Sequence, residues 1–271
     1  MLKEKICFIG GGNMARSLIG GLLASDVAAD SIYVAEPDET HRQQLQIDFG
    51  IHTSAENQAM VSQCEVIVFA VKPQLMKEVV SGLQSVEGKL LISIAAGITS
   101  AAIGNWLDAD AAIVRSMPNT PALVRSGATG LFANPHVSAD QREIAESIMR
   151  AVGMTLWVDK EELLDAVTAL SGSGPAYLFL VMEAMEQAGI KLGLNPDDAR
   201  LLTVQTAFGA SKLALEIEED PAVLRERVTS PGGTTEQAVK TLQDQQLEAI
   251  FLQALTAARD RARELSEQLG K

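Results

Sequence analysis

Ile6-Cys7-Phe8-Ile9-Gly10-Gly11-Gly12-Asn13-Met14-Ala15 is the stretch on which the fold turns. Four apolar residues in a row suit a strand buried on both faces. Three glycines end it, and helical spacing follows from about Asn13 to Ser25. Gly10, Gly12 and Ala15 match G-x-G-x-x-A between a strand and a helix, the setting in which that pattern binds a dinucleotide. Glycine permits the tight turn and a close backbone approach. The free N–H groups at the helix start then hold a pyrophosphate.

The same alternation continues outward. Strands are expected at Ser31–Ala35, Val66–Val71, Leu90–Ile94 and Ala111–Val114, with further runs at Thr129–Phe132 and Thr155–Val158. A helix is expected at Glu39–Phe49, and helical spacing resumes near Leu75. Strands alternating with helices imply βαβ units, a parallel sheet and a doubly wound α/β fold. Strand runs stop near Asp159-Lys160-Glu161. Pro175 and Pro196 each open a helix. Leu247, Ile250, Phe251, Ala254, Leu255, Ala258, Ala262, Leu265 and Leu269 share one face of a last helix. The expected division is residues 1–160, a dinucleotide-binding domain, and 161–271, an all-helical domain. Tyr177-Leu178-Phe179-Leu180-Val181-Met182 is apolar all round, so its helix must be buried on several sides, in a core or between subunits.

Composition narrows the function classes. The chain has 271 residues, 47% hydrophobic and 21% charged, enough apolar surface to exclude disorder as its main state. With 22 basic and 35 acidic residues the net charge is −13, which argues against nucleic acid or an anionic membrane as partner. No uninterrupted stretch reads as long enough to span a bilayer. Cys7 and Cys64 sit in apolar runs and read as core residues in a reducing compartment. The three histidines, His41, His52 and His136, show no metal-ligand spacing, and no metal is expected.

In an open α/β sheet the ligand lies outside the carboxyl ends of the strands. Four segments fall there: Ala35-Glu36-Pro37-Asp38, Ala70-Val71-Lys72-Pro73, Ala95-Ala96-Gly97 and Met117-Pro118-Asn119-Thr120-Pro121. Glu36 can accept hydrogen bonds from a ribose diol, which favours NAD, but also reads as a solvated turn residue. Arg42 could neutralise a 2′-phosphate, so NADP stays open. Asn119 and Thr120 could bond a carboxamide. In the helical half, Thr229-Ser230-Pro231-Gly232-Gly233-Thr234-Thr235 precedes a helix and suits a small carboxylate. Thr234 with Gln237 also reads as a capping box that needs no ligand. Ser171-Gly172-Ser173-Gly174-Pro175 reads as a loop and a helix start.

Together these segments resemble the pyrroline-5-carboxylate reductase family along essentially the whole chain. Val228–Thr235 with Ala238 and Val239 is the most specific of them. The resemblance implies a Rossmann domain followed by a helical dimerisation domain, in a cytoplasmic enzyme. It implies interlocked homodimers that assemble further into a decamer of five dimers. It implies hydride transfer from NADP or NAD cofactor to a cyclic imino carboxylate, giving L-proline. Gly10, Gly12, Asn13 and Met14 then line the pyrophosphate, with Glu36 and Asn57 near the adenosine ribose. Ala70, Val71, Lys72 and Pro73 flank the cofactor, and Ala95, Ala96 and Asn119 approach the nicotinamide. Ser230, Gly232, Gly233, Thr234 and Thr235 bind substrate, the N–H groups of Gly233, Thr234 and Thr235 anchoring its carboxylate. The Thr235 hydroxyl lies near the ring nitrogen as the catalytic polar group. Two other classes compete: a 3-hydroxyacid-type dehydrogenase and a non-catalytic dinucleotide-binding regulator. The first needs a lysine in the helix after Pro175, which has none before Lys191. A regulator has no need for the Ser-Pro-Gly-Gly-Thr-Thr segment.

Overall fold

A computed structural model describes residues 2–270. They divide into two compact units: residues up to Ser173 together with Ala257 onward, and Gly174–Thr256.

The first unit carries an eight-stranded sheet. In chain order come β1 (Ile6–Ile9), α1 (Asn13–Leu23), β2 (Ile32–Ala35), α2 (Glu39–Phe49), β3 (His52–Ser54), α3 (Asn57–Val61), β4 (Val66–Phe69) and α4 (Met76–Ser81). Then follow β5 (Leu90–Ser93), α5 (Ser100–Leu107), β6 (Ala112–Met117), β7 (Gly127–Ala133), α6 (Ala139–Arg150), β8 (Gly153–Trp157) and α7 (Leu163–Val167). The spatial order is β3-β2-β1-β4-β5-β6-β7-β8, so the chain reverses direction across the sheet between β1 and β4. That is the crevice where a doubly wound sheet binds its ligand.

Side chains alternate across the sheet as the two-residue period requires. Ile6 and Phe8 pack with Leu18, Ile19 and Leu22 of α1 and Ile148 of α6. Cys7 and Ile9 pack on the opposite face with Met76 and Val80 of α4 and Ile103 of α5. Both cysteines are buried and free. Two expectations need correction here. The sheet is not wholly parallel, because β7 runs antiparallel to β6. Residues 118–126 between them hold only a short 3-10 turn, Thr120–Val124, with no crossover helix to return the chain for parallel pairing. The strand β3 is three polar residues and the helix α3, five residues long, is too short to show a period, so neither was expected.

The second unit is helical. It comprises α8 (Gly174–Lys191), α9 (Pro196–Glu216), α10 (Pro221–Arg227), α11 (Thr234–Asp244) and the first part of α12 (Leu247–Leu269), the rest of which belongs to the first unit. Asn195 caps α9 by accepting the Asp198 N–H, with Pro196 at its first position. A Cβ on Gly189 of α8 would stand 3.4 Å from the Ala199 Cβ of α9, so the small pair allows close helix packing. The segment before α8 is not a loop. Thr168–Gly172 is a π-helical turn, closed by the Ser173 N–H donating to the Thr168 carbonyl at 2.8 Å. The Thr168 and Ser171 hydroxyls donate back to the carbonyls of Leu164 and Val167, keeping the turn hydrogen-bonded. The helical run therefore extends over Leu163–Lys191, 29 residues. By length and apolarity alone that run is long enough to cross a membrane, contrary to the sequence expectation.

Beyond its packing on α9, much of the α8 surface is left exposed among the described residues. No residue of α8 is buried. Phe179 is 64% and Leu180 66% exposed, which rules out a core helix of a monomer. On α9, Leu201, Val204 and Phe208 are exposed as well.

Candidate active site

The glycine turn is built around close contacts. Gly10 has φ +97°, a region that costs any L side chain strain. Its Cβ, if present, would lie 2.7 Å from the Ala70 carbonyl oxygen at the end of β4. Its N–H donates to the Ala35 carbonyl at the end of β2, 2.8 Å away. Three strand ends thus converge on one residue. Gly12 differs: a Cβ there would meet nothing within 4 Å. It is the N-cap of α1 and makes no side-chain cap. The first turn of α1 holds no acidic residue. Open space in front of uncapped N–H groups is what a bound pyrophosphate requires, so the residues fit a dinucleotide.

Glu36 closes β2 and reaches back onto this turn. Its Oε2 accepts the Gly11 N–H at 2.9 Å, and its Oε1 accepts the Asp38 N–H at 3.1 Å. Asn57 is the first residue of α3, directly after β3 on the same rim. Val71 touches the Gly10 position, Lys72 is exposed, and Pro73 starts a 3-10 turn. Ala95 is buried, with its N–H donating to the Ser93 hydroxyl at 3.3 Å, and Ala96 is half-buried. These residues all follow the carboxyl ends of adjacent parallel strands. The Asn119 side chain ties its own loop to the neighbouring segments: Oδ1 accepts the Ala128 N–H at 2.9 Å and Nδ2 donates to the Ser171 carbonyl at 3.0 Å.

One cluster was not foreseen. The Glu161 carboxylate accepts the Ser100 N–H at 2.6 Å, the Ser100 hydroxyl at 2.7 Å and the Arg115 guanidinium at 2.9 Å. It thereby fastens the start of α5, just after the Ala95-Ala96-Gly97 loop, to β6. On its other side Gly97, at φ +76°, abuts the backbone of Leu265 and Ser266 in α12. The partners lie up to 61 residues apart, so no spacing betrays them.

The second unit carries the other candidate segment. Gly232 has φ +72°, and its N–H donates to the Glu236 carboxylate at 2.8 Å. The Gly233 N–H donates to the Ser230 carbonyl at 3.0 Å. Gly233 is the N-cap of α11, without a side-chain cap. Two expectations change. Thr234 is already helical and forms no capping box with Gln237. The Gly233 N–H, expected to help anchor a carboxylate, is already engaged by the Ser230 carbonyl. Ser230 is exposed and Thr235 half-buried.

Comparison with known proteins places this arrangement. Residues 161–265 match the family described as pyrroline-5-carboxylate reductase dimerisation, and residues 5–97 match NADP oxidoreductase coenzyme F420-dependent. A pyrroline-5-carboxylate reductase of Pseudomonas aeruginosa is 50% identical over 273 residues, covering 100% of both chains. The chain belongs to the pyrroline-5-carboxylate reductase family. A solved pyrroline-5-carboxylate reductase from Coxiella burnetii superposes with a TM-score of 0.95 at 48% identity, covering 98% of this chain and 99% of that one. Another member, from Plasmodium falciparum and solved with NADP bound, gives 0.86 at 26% identity over 98% and 99%. The family's dimerisation region coincides with the exposed apolar helices described above.

Proposed function

We propose that this protein reduces the C=N bond of 1-pyrroline-5-carboxylate to give L-proline, at the expense of NADH or NADPH. Family membership over the full chain carries the reading, together with the open, uncapped glycine turn at Gly12. When bound, the reduced nicotinamide supplies the hydride that adds to the imine carbon.

The protein's part is binding and orientation. Gly10, Gly12, Asn13 and Met14 hold the pyrophosphate, and Glu36 and Asn57 face the adenosine ribose. Ala70, Val71, Lys72, Pro73, Ala95 and Ala96 form the wall along the dinucleotide. Asn119 holds the loop after β6 in place. The N–H groups of Thr234 and Thr235 anchor the substrate carboxylate, with Ser230, Gly232 and Gly233 shaping the turn. The Thr235 hydroxyl hydrogen-bonds the ring nitrogen as its charge changes. As the C=N π bond breaks, the nitrogen ends with one proton, which comes from solvent or is carried in on the substrate.

In this reading residues 1–160 are the cofactor domain and 161–271 the dimerisation and substrate domain. The working form is a cytoplasmic homodimer that assembles into a decamer of five dimers. The test is to follow loss of reduced-cofactor absorbance with pyrroline-5-carboxylate and to identify the product. Wild-type protein yields L-proline. Thr235→Ala lowers kcat/KM by about 10- to 100-fold, the worth of a hydrogen bond to a charged group. No oxidation of either cofactor by folded protein overturns the reading.

A further inference from the structure

Glu36 is held more firmly than a solvated turn residue needs to be. Its carboxylate accepts the N–H groups of Gly11 and Asp38. Its own N–H donates to the Ser54 carbonyl of β3 at 2.9 Å. Its carbonyl and that of Pro37 both accept from one guanidinium nitrogen of Arg42, at 2.8 and 2.7 Å. The result is a half-buried acid fixed beside the glycine turn, with lone pairs left over.

A dinucleotide with its pyrophosphate at Gly12–Asn13 brings its adenosine ribose to the end of β2. The two hydroxyls of a ribose diol are donors, and a carboxylate is an acceptor only, so the pair is complementary. A 2′-phosphate reverses both properties. It offers acceptors, and it carries close to two negative charges. The surroundings add to the mismatch. Asp38 and Glu39 follow Glu36, and the His41 N–H on the Asp38 carboxylate holds that group below its ordinary range. The helices α1 and α2 carry two guanidinium groups between them. Arg16 is paired with Asp48, and Arg42 is engaged by the two carbonyls. Neither is free to answer a phosphate without giving up a partner.

We propose that Glu36 makes this site selective for NADH over NADPH. The proposal rests on the dinucleotide-dependent reading above and goes beyond it by naming the cofactor and the residue that chooses it. A relative of the same fold was solved with NADP bound, so the backbone does not decide the matter. The side chains at the end of β2 do.

The experiment is calorimetric titration of the whole protein, without substrate, with ADP-ribose and with 2′-phospho-ADP-ribose. Turnover with NADH and with NADPH runs in parallel. Wild-type protein binds ADP-ribose at least ~10-fold more tightly, and kcat/KM favours NADH by a similar factor. Glu36→Gln keeps an oxygen to accept the Gly11 N–H but removes the charge. It brings the two affinities to within about threefold of one another, chiefly by improving the phosphorylated ligand. Equal or tighter binding of 2′-phospho-ADP-ribose by the wild type overturns the proposal, and so does an unchanged ratio in folded Glu36→Gln. Should that variant fail to fold, the wild-type ratio alone decides. If neither ligand binds, the dinucleotide reading itself fails, a result distinct from turnover with equal use of both cofactors, which sinks only the role of Glu36.

Discussion

A methyl group on Gly10 has no room: 2.7 Å separates it from the Ala70 carbonyl oxygen, which belongs to the backbone and cannot step aside. The positive φ adds about 1–3 kcal/mol of strain. Gly10→Ala is therefore expected to lower the melting temperature and to weaken dinucleotide binding together, both readable in one thermal-shift series with and without NADH. The demand for glycine was plain in the sequence because strand, glycines and helix are contiguous. The neighbouring signals were not all so direct. Thr234 and Gln237 have the spacing of a capping box, yet the helix starts one residue earlier than such a box needs, and Gly233 takes the N-cap. Spacing reports which pairs can meet, and the choice between neighbouring N-caps is made by the turn before the helix, here at Gly232 with its left-handed φ.

Elements were legible in proportion to their burial. The strands β1, β4 and β5 are buried throughout, and their unbroken apolar runs announce them. The strand β3 is three polar residues at the sheet edge, His52-Thr53-Ser54, and carries no such signal. The joint at Thr168–Gly172 was hidden for another reason: Ser and Gly next to Pro look like a loop, while serine and threonine hydroxyls quietly keep the helix bonded. Beside this joint α7 carries Asp165, whose carboxyl burial pushes above its ordinary value of 3.8, with Arg115 and Arg263 pulling the other way and Glu162 and Glu161 adding to the push. The folded chain holds that proton more tightly than the unfolded one. Stability contributed by the protonated form is complete below 3.8 and is lost as the pH rises to the raised value. Asp165→Asn should then raise the melting temperature at neutral pH, and the gain should fade as the pH is brought below the ordinary aspartate range. A gain that is the same at all pH values would show that packing, not charge, is responsible.

At the scale of the whole molecule the two units differ in what they expose. The sheet unit gathers two cores of large apolar side chains, one on each face, while leaving others such as Ile47, Leu123 and Val124 exposed. The helical unit has no comparable core and leaves Leu178, Phe179 and Leu180 on α8 and Leu201 and Phe208 on α9 each more than half exposed, as a surface that meets another chain would. The all-apolar helix signalled burial either in a core or between subunits without choosing, and the number of assembled subunits has no local signature in any segment. Leu180→Glu places a charge on that surface, and light scattering is expected to show a shift towards monomer with helical circular dichroism retained. An unchanged mass would mean that α8 does not carry the subunit contact.

The order of the chain has a further consequence. The cofactor unit is interrupted: it closes only with the last turns of α12, where Leu265 and Ser266 lie against Gly97 and Leu269 joins the core beside α5. Those turns are translated after all of Gly174–Thr256. During synthesis all eight strands precede the insert, but the α12 contact on the Gly97 loop must wait for residues 174–256 to be made, which at 5–20 residues per second takes roughly 5–20 s. Through that interval the Gly97 loop lacks the Leu265 and Ser266 backbone that lies against it in the finished chain.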